Sequence, residues 1–185
     1  MGCHRHPKAL PDRDRRTARV GIFEGSFSVA TFIGQHENKI DRKGRVSVPS
    51  KFRAQLAKED FQGVVVYPSP KFQALEGCSF RRIEQIAASL DDLDMLSDKA
   101  DDLAATILAE ARELPFDGEG RIMLPRDLLD EMGIDETALF VGQGSTFQIW
   151  SPETYSRRKE EARQRIKDGE VTLKLRRDDD KGGGG

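Results

Sequence analysis

The sequence contains an internal repeat, which limits the possible folds more than any other feature. Residues 38–52 read NKIDRKGRVSVPSKF and residues 116–128 read FDGEGRIMLPRDL, an offset of about 76 positions. The matching residues are Asp41, Gly44, Arg45, Val46, Val48, Pro49, Phe52 and Leu56 in the first copy and Asp117, Gly120, Arg121, Ile122, Leu124, Pro125, Leu128 and Met132 in the second. This pattern predicts two copies of one supersecondary unit.

A second pair of segments extends the repeat. Residues 140–150 correspond to residues 64–75, and Phe72 and Gln73 align with Phe147 and Gln148 at an offset of 75. The offset between the copies changes by one residue, which predicts an insertion or deletion in a loop. Each copy is expected to read strand, tight turn, strand, short helix, strand, turn, strand and longer helix.

Local patterns predict how these elements begin, end and face the core. Val46 and Val48 alternate with polar neighbours, so this pair is expected to face the core while Arg45 faces away. Ser50 is expected to cap the short helix of the first copy. Gly133 is expected to end the short helix of the second copy.

Helices are also predicted between and after the copies. Apolar residues recur at helical spacing at Ile83, Ile86, Leu90, Leu103, Ile107, Ala111 and Leu114. After the second copy, Ser151 suits a helix cap and Pro152 suits the first helical position. The apolar face of this last helix is thin, so we expect it to need a partner surface.

These features divide the chain into five parts. They are a disordered basic arm (1–30), a first repeat (35–82), linking helices (83–110), a second repeat (111–154) and a C-terminal helix with a disordered tail (155–185). Both ends are predicted to be disordered because they are rich in charged residues and glycine and lack apolar periodicity.

Each copy contains a glycine turn, DRKGR in the first and DGEGR in the second. The aspartate side chain is expected to accept a backbone N–H, and the glycine to supply a positive φ. The residues are Asp41, Gly44 and Arg45 in the first turn and Asp117, Gly120 and Arg121 in the second. Two interpretations remain open: the turn projects its arginine toward a ligand, or it is a structural hairpin whose arginine is solvated or paired with its own aspartate.

The two copies differ in charge. Residues 36–58 contain seven Lys or Arg against two acids, a net of +5, whereas residues 112–134 contain three Arg against six acids, a net of −3. The whole chain has a formal charge of −2, so any affinity for nucleic acid has to come from a local patch. The contrast favours phosphate and base contact by the first turn and an assembly or pairing role for the second.

Four segments resemble one known family. NKIDRKGRVSVPSKFRAQL, ALEGC, ELPFDGEGRIMLP and ALFVGQGSTFQIW are similar to segments of the MraZ family, in the wider group of AbrB-like, SpoVT-type swapped-hairpin transcription factors. The resemblance covers roughly residues 31–166. It implies an α+β fold with two tandem double-split β-barrel units, linking helices and a C-terminal helix.

The resemblance also implies a function and a set of site residues. Such a protein is expected to be a transcriptional regulator that binds double-stranded DNA as a ring of identical subunits, at tandem G-rich repeats upstream of the division and cell-wall gene cluster. It is expected in the cytoplasm, associated with the nucleoid. The candidate DNA-binding residues are Arg45, Lys43, Arg42, Lys39 and Arg121, supported by the turn residues Asp41, Gly44, Asp117 and Gly120.

An enzyme is the weaker alternative. The three histidines, His4, His6 and His36, all precede the first repeated segment (38–52), and no catalytic motif or paired Cys-x-x-Cys occurs. We therefore expect no catalytic residue, cofactor, metal or small-molecule substrate. The aspartates at positions 91, 92, 94, 98, 101 and 102 could be imagined as metal ligands, but a solvated acidic helix surface is favoured.

The stronger alternative is an antitoxin-like module that uses the same fold to bind a partner protein. Cys3 lies in the basic arm and Cys78 in a predicted loop, which suits reduced thiols and a cytoplasmic protein. No apolar stretch is long enough for a membrane span.

Overall fold

A computed structural model describes residues 31–92 and 98–170. The first copy comprises β1 (Gln35–Lys39), β2 (Arg45–Ser47), α1 (Ser50–Leu56), β3 (Gly63–Pro68), β4 (Leu75–Cys78) and α2 (Phe80–Asp91). The connection contains α3 (Asp98–Leu103), which continues into a π turn (Ala104–Leu108). The second copy comprises β5 (Arg112–Pro115), β6 (Arg121–Met123), α4 (Arg126–Met132), β7 (Thr137–Gly142), β8 (Phe147–Trp150) and α5 (Pro152–Lys167). The predicted order of elements is confirmed in both copies.

The two copies exchange strands. A six-stranded antiparallel sheet has the order β1-β7-β8-β4-β3-β5, and β2 pairs with β6 in a separate two-stranded ribbon. Thus β1 joins the third strand of the second copy, and β5 joins the third strand of the first. The fold is α+β, and neither copy forms a sheet alone. The predicted boundaries of the copies stay a prediction.

The main core fills the space between the sheet, the ribbon and the short helices α1 and α4. Val64 and Val66 of β3 face this core, whereas Val65 and Tyr67 face the opposite side, as the alternation of a strand requires. Phe32, Phe52 and Phe147 meet at its centre, with ring centroids 5.1–5.3 Å apart. Burying each ring contributes about 1.5–3 kcal/mol.

The longer helices cover the outer face of the sheet. Ile83 of α2 packs with Val65 and Ile107, so α2 and the π turn form one cluster on the first copy's strands. Tyr155 of α5 packs on Trp150, whose ring centroid is 5.6 Å away. α2 and α5 therefore occupy equivalent places.

Several local predictions are confirmed. Val46 and Val48 are buried, Gly133 ends α4 with a φ of +63°, and Ser151 caps α5, its hydroxyl accepting the Thr154 N–H at 3.5 Å.

Other local predictions are wrong. Ser50 does not cap α1: it is the first helical residue, and Pro49 holds the cap position without a side-chain hydrogen bond. Leu114 lies in β5 rather than in a helix, because pairing with Val64 places it in the sheet. Cys78 lies at the buried end of β4 rather than in a loop.

The predicted alignment of Phe72 with Phe147 is also wrong. Phe147 begins β8, whereas Phe72 precedes β4 and packs on the Trp150 ring at 5.6 Å. The short shared string Phe-Gln misled the alignment. The length changes in two places: the loops after α1 (57–62) and after β3 (69–74) are each longer than the loops after α4 (133–136) and after β7 (143–146).

The predicted disordered arm (1–30), Cys3, His4, His6 and the tail beyond residue 170 lie outside the described residues, as does Asp94.

Candidate nucleic-acid interface

The first glycine turn is fixed by its aspartate. The Asp41 Oδ1 atom accepts the backbone N–H groups of Lys43 and Arg45, both at 2.9 Å. Gly44 has a φ of +81°, and a Cβ atom added there would lie 2.8 Å from the backbone oxygen of Leu124. Only glycine meets both conditions without strain, so the predicted turn is confirmed in its geometry.

The second turn has the same geometry. The Asp117 Oδ1 atom accepts the backbone N–H groups of Glu119 at 2.9 Å and Arg121 at 3.0 Å, and Gly120 has a φ of +72°. The backbone of the turn therefore does not distinguish the copies, and any difference in function has to come from the side chains.

Arg45 is paired with its own aspartate, as one interpretation of the sequence expected. Its Nε and Nη2 atoms both lie 2.7 Å from Asp41 Oδ2. The hydrogen bonds from Arg45 lower the pKa of Asp41 from the usual 3.8 to about 2. The Nη1 atom has no acceptor among the described residues, so one edge of the guanidinium remains available to a ligand.

Arg121 is held by two carboxylates instead of one. Its Nε lies 2.7 Å from Asp117 Oδ2, and its Nη1 lies 2.9 Å from Glu119 Oε2. The hydrogen bond to Asp117 raises the pKa of Arg121, and the backbone N–H of Arg121 is the largest cause of a pKa of about 2 at Asp117. The edge that is available in Arg45 is thus occupied in Arg121.

Three further candidate cations surround the first turn. Lys39, Arg42 and Lys43 are exposed, and none has an ion-pair partner within the described ranges. The structure brings them together with Arg45 around a single turn. At the second turn, the positions of Arg42 and Lys43 are taken by Gly118 and Glu119.

Strand exchange adds a residue that the sequence analysis missed. Arg126, at the start of α4, shares a cleft of about 300 Å³ with Lys39 and Arg42. Its guanidinium lies 3.2 Å from Asp130, and Asp135 also lines the cleft. The pairing of β1 with β7, which sets Lys39 opposite Thr137, creates this neighbourhood, and no pattern within one copy indicates it.

Strand exchange also places one cation of the first copy against the second turn. The Arg53 Nη1 atom donates to the backbone oxygens of Val48 and Gly120, both at 3.2 Å. Arg53 therefore supports the second turn, although it lies in the basic window of the sequence. The net of +5 counted over residues 36–58 overstates the charge that the first turn displays.

The two turns lie at opposite ends of the ribbon. Arg45 pairs with Met123 and Ser47 pairs with Arg121, so the turn that precedes each strand lies beside the C-terminal end of the other strand. A largely apolar groove of about 490 Å³ runs between β5 and the ribbon, with Arg45 and Arg121 on its border and Met123 exposed beside it.

Across residues 31–92 and 98–170, no group of three or more His, Cys, Asp or Glu side chains could hold a metal ion. No helix in the part of the chain that the structure describes is long and apolar enough to cross a membrane.

The fold and the site define an α+β protein in which two interlocked copies each present an arginine behind an Asp–Gly turn. A family model described as "MraZ protein, putative antitoxin-like" matches residues 31–95 and 107–177. This protein belongs to the MraZ family, which confirms the resemblance.

Individual relatives agree with the family model. The chain is 46% identical over 143 residues to the transcriptional regulator MraZ of Pelagibacter ubique (strain HTCC1062), covering 77% of this chain and 92% of that protein. It is 40% identical to the transcriptional regulator MraZ of Rickettsia rickettsii (strain Sheila Smith) and 38% identical to that of Rickettsia akari (strain Hartford), covering 77% of this chain and 96% of each relative. These relatives are named as regulators and not as enzymes.

Proposed function

We propose that this protein is a sequence-specific, double-stranded-DNA-binding transcriptional regulator whose first turn enters the major groove. The relatives named as transcriptional regulators support the class. The observation that carries the proposal is the contrast between the arginines: Arg45 keeps one edge of its guanidinium available, whereas Glu119 occupies that edge of Arg121.

Base readout is assigned to Arg45. An arginine fork donates to O6 and N7 of guanine, which is the commonest specific contact in the major groove. Asp41 holds Nε and one side of Nη2, so Nη1 and the remaining Nη2 proton form the fork. Asp41 is then a positioning residue, because it limits the rotamers of Arg45 before DNA arrives.

Phosphate contacts are assigned to Lys39, Arg42 and Lys43. A side chain that neutralises a phosphate releases condensed counterions, and three such contacts give a salt slope of only about −3 for one subunit. One subunit should therefore bind weakly. In a ring of subunits, neighbouring turns would contact successive DNA elements, so tandem G-rich repeats are recognised by avidity.

The wider setting follows from the same resemblance. The target is proposed to be the region upstream of the division and cell-wall gene cluster, and the protein is placed in the cytoplasm on the nucleoid. We also propose that the six-stranded sheet and the ribbon together correspond to the double-split β-barrel of this family. Arg121 remains a candidate DNA ligand, but its two carboxylate partners favour an assembly or pairing role for the second turn.

A second candidate is an antitoxin-like module that binds a partner protein. The family description includes the words "putative antitoxin-like", which favours keeping it. The two candidates differ in what the first turn must do, because a protein-binding module does not need a free arginine edge for guanine.

The test is the pair of variants Arg45→Ala and Arg121→Ala. Affinity for a duplex from the protein's own upstream region is measured by fluorescence anisotropy across a salt series, and a footprint locates the site. Losing one bidentate contact costs about 1–3 kcal/mol, so Arg45→Ala should weaken binding about 100-fold when several subunits bind together. Arg121→Ala should bind nearly as well as the wild type.

Light scattering is used to check that each variant keeps the wild-type assembly. Unchanged affinity of Arg45→Ala would overturn the proposal and favour the protein-binding module. An equal loss in both variants would leave DNA binding in place but contradict the division of roles between the turns.

A further inference from the structure

The outer face of the sheet is covered unequally. α2 packs against both the strands and the π turn after α3, with Ile83 and Ile107 in one cluster. α5, in the equivalent place, shares its hydrophobic cluster with no second helix in residues 31–92 and 98–170. It runs for 16 residues without one buried residue. Because most helical stability in proteins comes from packing one face, α5 has an incomplete environment.

One face of α5 is only partly used. Tyr155, Ala162 and Ile166 recur at intervals of seven and four residues, so they share a face, defined here as the α5 stripe. Tyr155 packs on Trp150, but Ile166 at the other end is 61% exposed. A cavity of about 260 Å³ remains beside Tyr155 and Ala162. The stripe therefore continues past the protein's own core.

Cations border the α5 stripe. α5 contains Arg157, Arg158, Lys159, Arg163, Arg165 and Lys167 against Glu153, Glu160 and Glu161, a net of +3. At about 100° per residue, Arg158 and Arg165 lie on one side of the stripe and Lys159 and Arg163 on the other. Of the six, only Arg163 has an ion-pair partner within the described residues, Glu160 at 3.8 Å.

Arg158 also has a buried donor without an acceptor. Its guanidinium lies 4.8 Å from the centre of the Phe72 ring, and its Nη1 atom is buried with no hydrogen-bond partner in the described protein. Buried donors in native structures nearly always have a partner. The unpaired cations on both sides of the α5 stripe make an acidic surface the best electrostatic match for this face.

The same chain has such a surface. Residues 83–92 and 98–110 contain seven acids against one lysine, a net of −6. Asp98, Asp101 and Asp102 are spaced three and four residues apart on α3, so they share one face, defined here as the α3 acidic face. All three are exposed, and none forms an ion pair within the described residues.

We propose that the α5 stripe of one copy packs against the α3 acidic face of a second copy. The two surfaces belong to different elements, so the contact is head-to-tail, and repetition of such a contact closes a ring when the rotation permits. The complementary charges set the register and orientation of the contact, and the apolar stripe supplies the buried area. The inference rests on the ring in the proposed function and names the surfaces that form it.

The test reverses charge on each surface and then on both. Arg163→Glu with Arg165→Glu reverses two cations that flank the α5 stripe, and Asp101→Lys with Asp102→Lys reverses the α3 acidic face. Arg157→Glu is the matched control, because this residue lies about 200° from Tyr155 on the opposite face of α5. Assembly mass is measured by size exclusion with light scattering over a concentration series, and circular dichroism checks the fold.

Each double variant should raise the apparent dissociation constant of the assembly about tenfold or more, because like charges meet at the contact. The quadruple variant, which combines both charge-reversed pairs, should recover assembly. Arg157→Glu should assemble as the wild type does. Recovery also excludes misfolding as the reason for dissociation.

Wild-type assembly that survives both reversals would overturn this contact and assign the α5 face to another occupant, such as residues 171–185. Failure of the quadruple variant to recover assembly would also overturn the proposed contact. A wild-type monomer would instead overturn the ring in the proposed function.

Discussion

The first and second turns share a backbone and differ in what they display. Both have an aspartate that accepts two backbone N–H groups, a glycine with positive φ and an arginine paired with the aspartate. Their five-residue sequences differ only at Arg42 and Lys43, which are replaced by Gly118 and Glu119. The shared Asp–Arg pair therefore belongs to the structure of the turn, and the side chains between them decide what it can bind.

Exchanging the two differing residues should have the largest effect. Arg42→Gly with Lys43→Glu gives the first turn the sequence of the second, and the new glutamate should occupy the free edge of Arg45. Affinity for the G-rich duplex should fall about 1,000-fold, because two phosphate contacts and the base contact are lost in each subunit.

The reciprocal variant is the matched control. Gly118→Arg with Glu119→Lys should bind DNA more tightly and with a steeper salt dependence, since Arg121 is freed and two cations are added. Both variants are measured by anisotropy across a salt series. If the first variant kept its affinity, the contrast between the turns would have no role in DNA binding.

The glycines provide a second comparison, in stability. A Cβ atom at Gly44 would meet the backbone oxygen of Leu124, whereas at Gly120 it would meet the Arg53 side chain, which can move. Gly44→Ala should therefore lower the free energy of unfolding by about 2–3 kcal/mol and Gly120→Ala by about 1 kcal/mol. Urea denaturation measures both. Equal losses would show that Arg53 is as rigid as a backbone atom.

Asp41→Asn tests whether Asp41 positions Arg45. Asparagine can still accept the two backbone N–H groups, but it loses the charged partner of the guanidinium. We expect the ratio of affinities for G-rich and scrambled duplexes to fall about tenfold, while non-specific affinity rises slightly because a negative charge is removed. Asp117→Asn is the control. A uniform loss on both duplexes would indicate a purely structural role.

The smallest expected effect is on the stability of the fold at acidic pH. The pKa of Asp41 and that of Asp117 are each lowered from 3.8 to about 2, so both carboxylates stabilise the folded state above pH 4 and lose this contribution as the pH falls toward 2. The double variant Asp41→Asn, Asp117→Asn should show a flatter decline in urea midpoint as the pH falls through the interval between the ordinary pKa of 3.8 and the lowered pKa of about 2. Parallel declines would contradict the assigned pKa shifts.

The sequence predicted the elements and the turns well because their signals are local. Alternating apolar residues indicated which side of β2 is buried, and Gly133 and Ser151 indicated helix ends through backbone geometry and a cap. The Asp–Gly turns were predicted for the same reason. Leu114 was misplaced because a strand residue can match a helical interval by chance, and the pairing partner that decides the matter lies 50 positions earlier, at Val64.

Strand exchange could not be predicted from local patterns. A repeat shows that two units are alike, but the same alternation of residues suits a partner in either copy. The site was therefore only partly predicted. Its cations at Lys39, Arg42, Lys43 and Arg45 were named. The position of Arg126 depends on the pairing of β1 with β7, and the contact of Arg53 with the second turn depends on the pairing of β2 with β6.

Covalent fusion of the two interlocked copies has an evolutionary consequence. A symmetric homodimer with the same strand exchange would present two identical glycine turns, because one gene segment would encode both. Here α2 and α3 connect the copies in one chain, so a mutation changes one glycine turn and leaves the other unchanged. Natural selection can thus specialise the two ends of one symmetric frame separately, while the shared sheet keeps both ends in register.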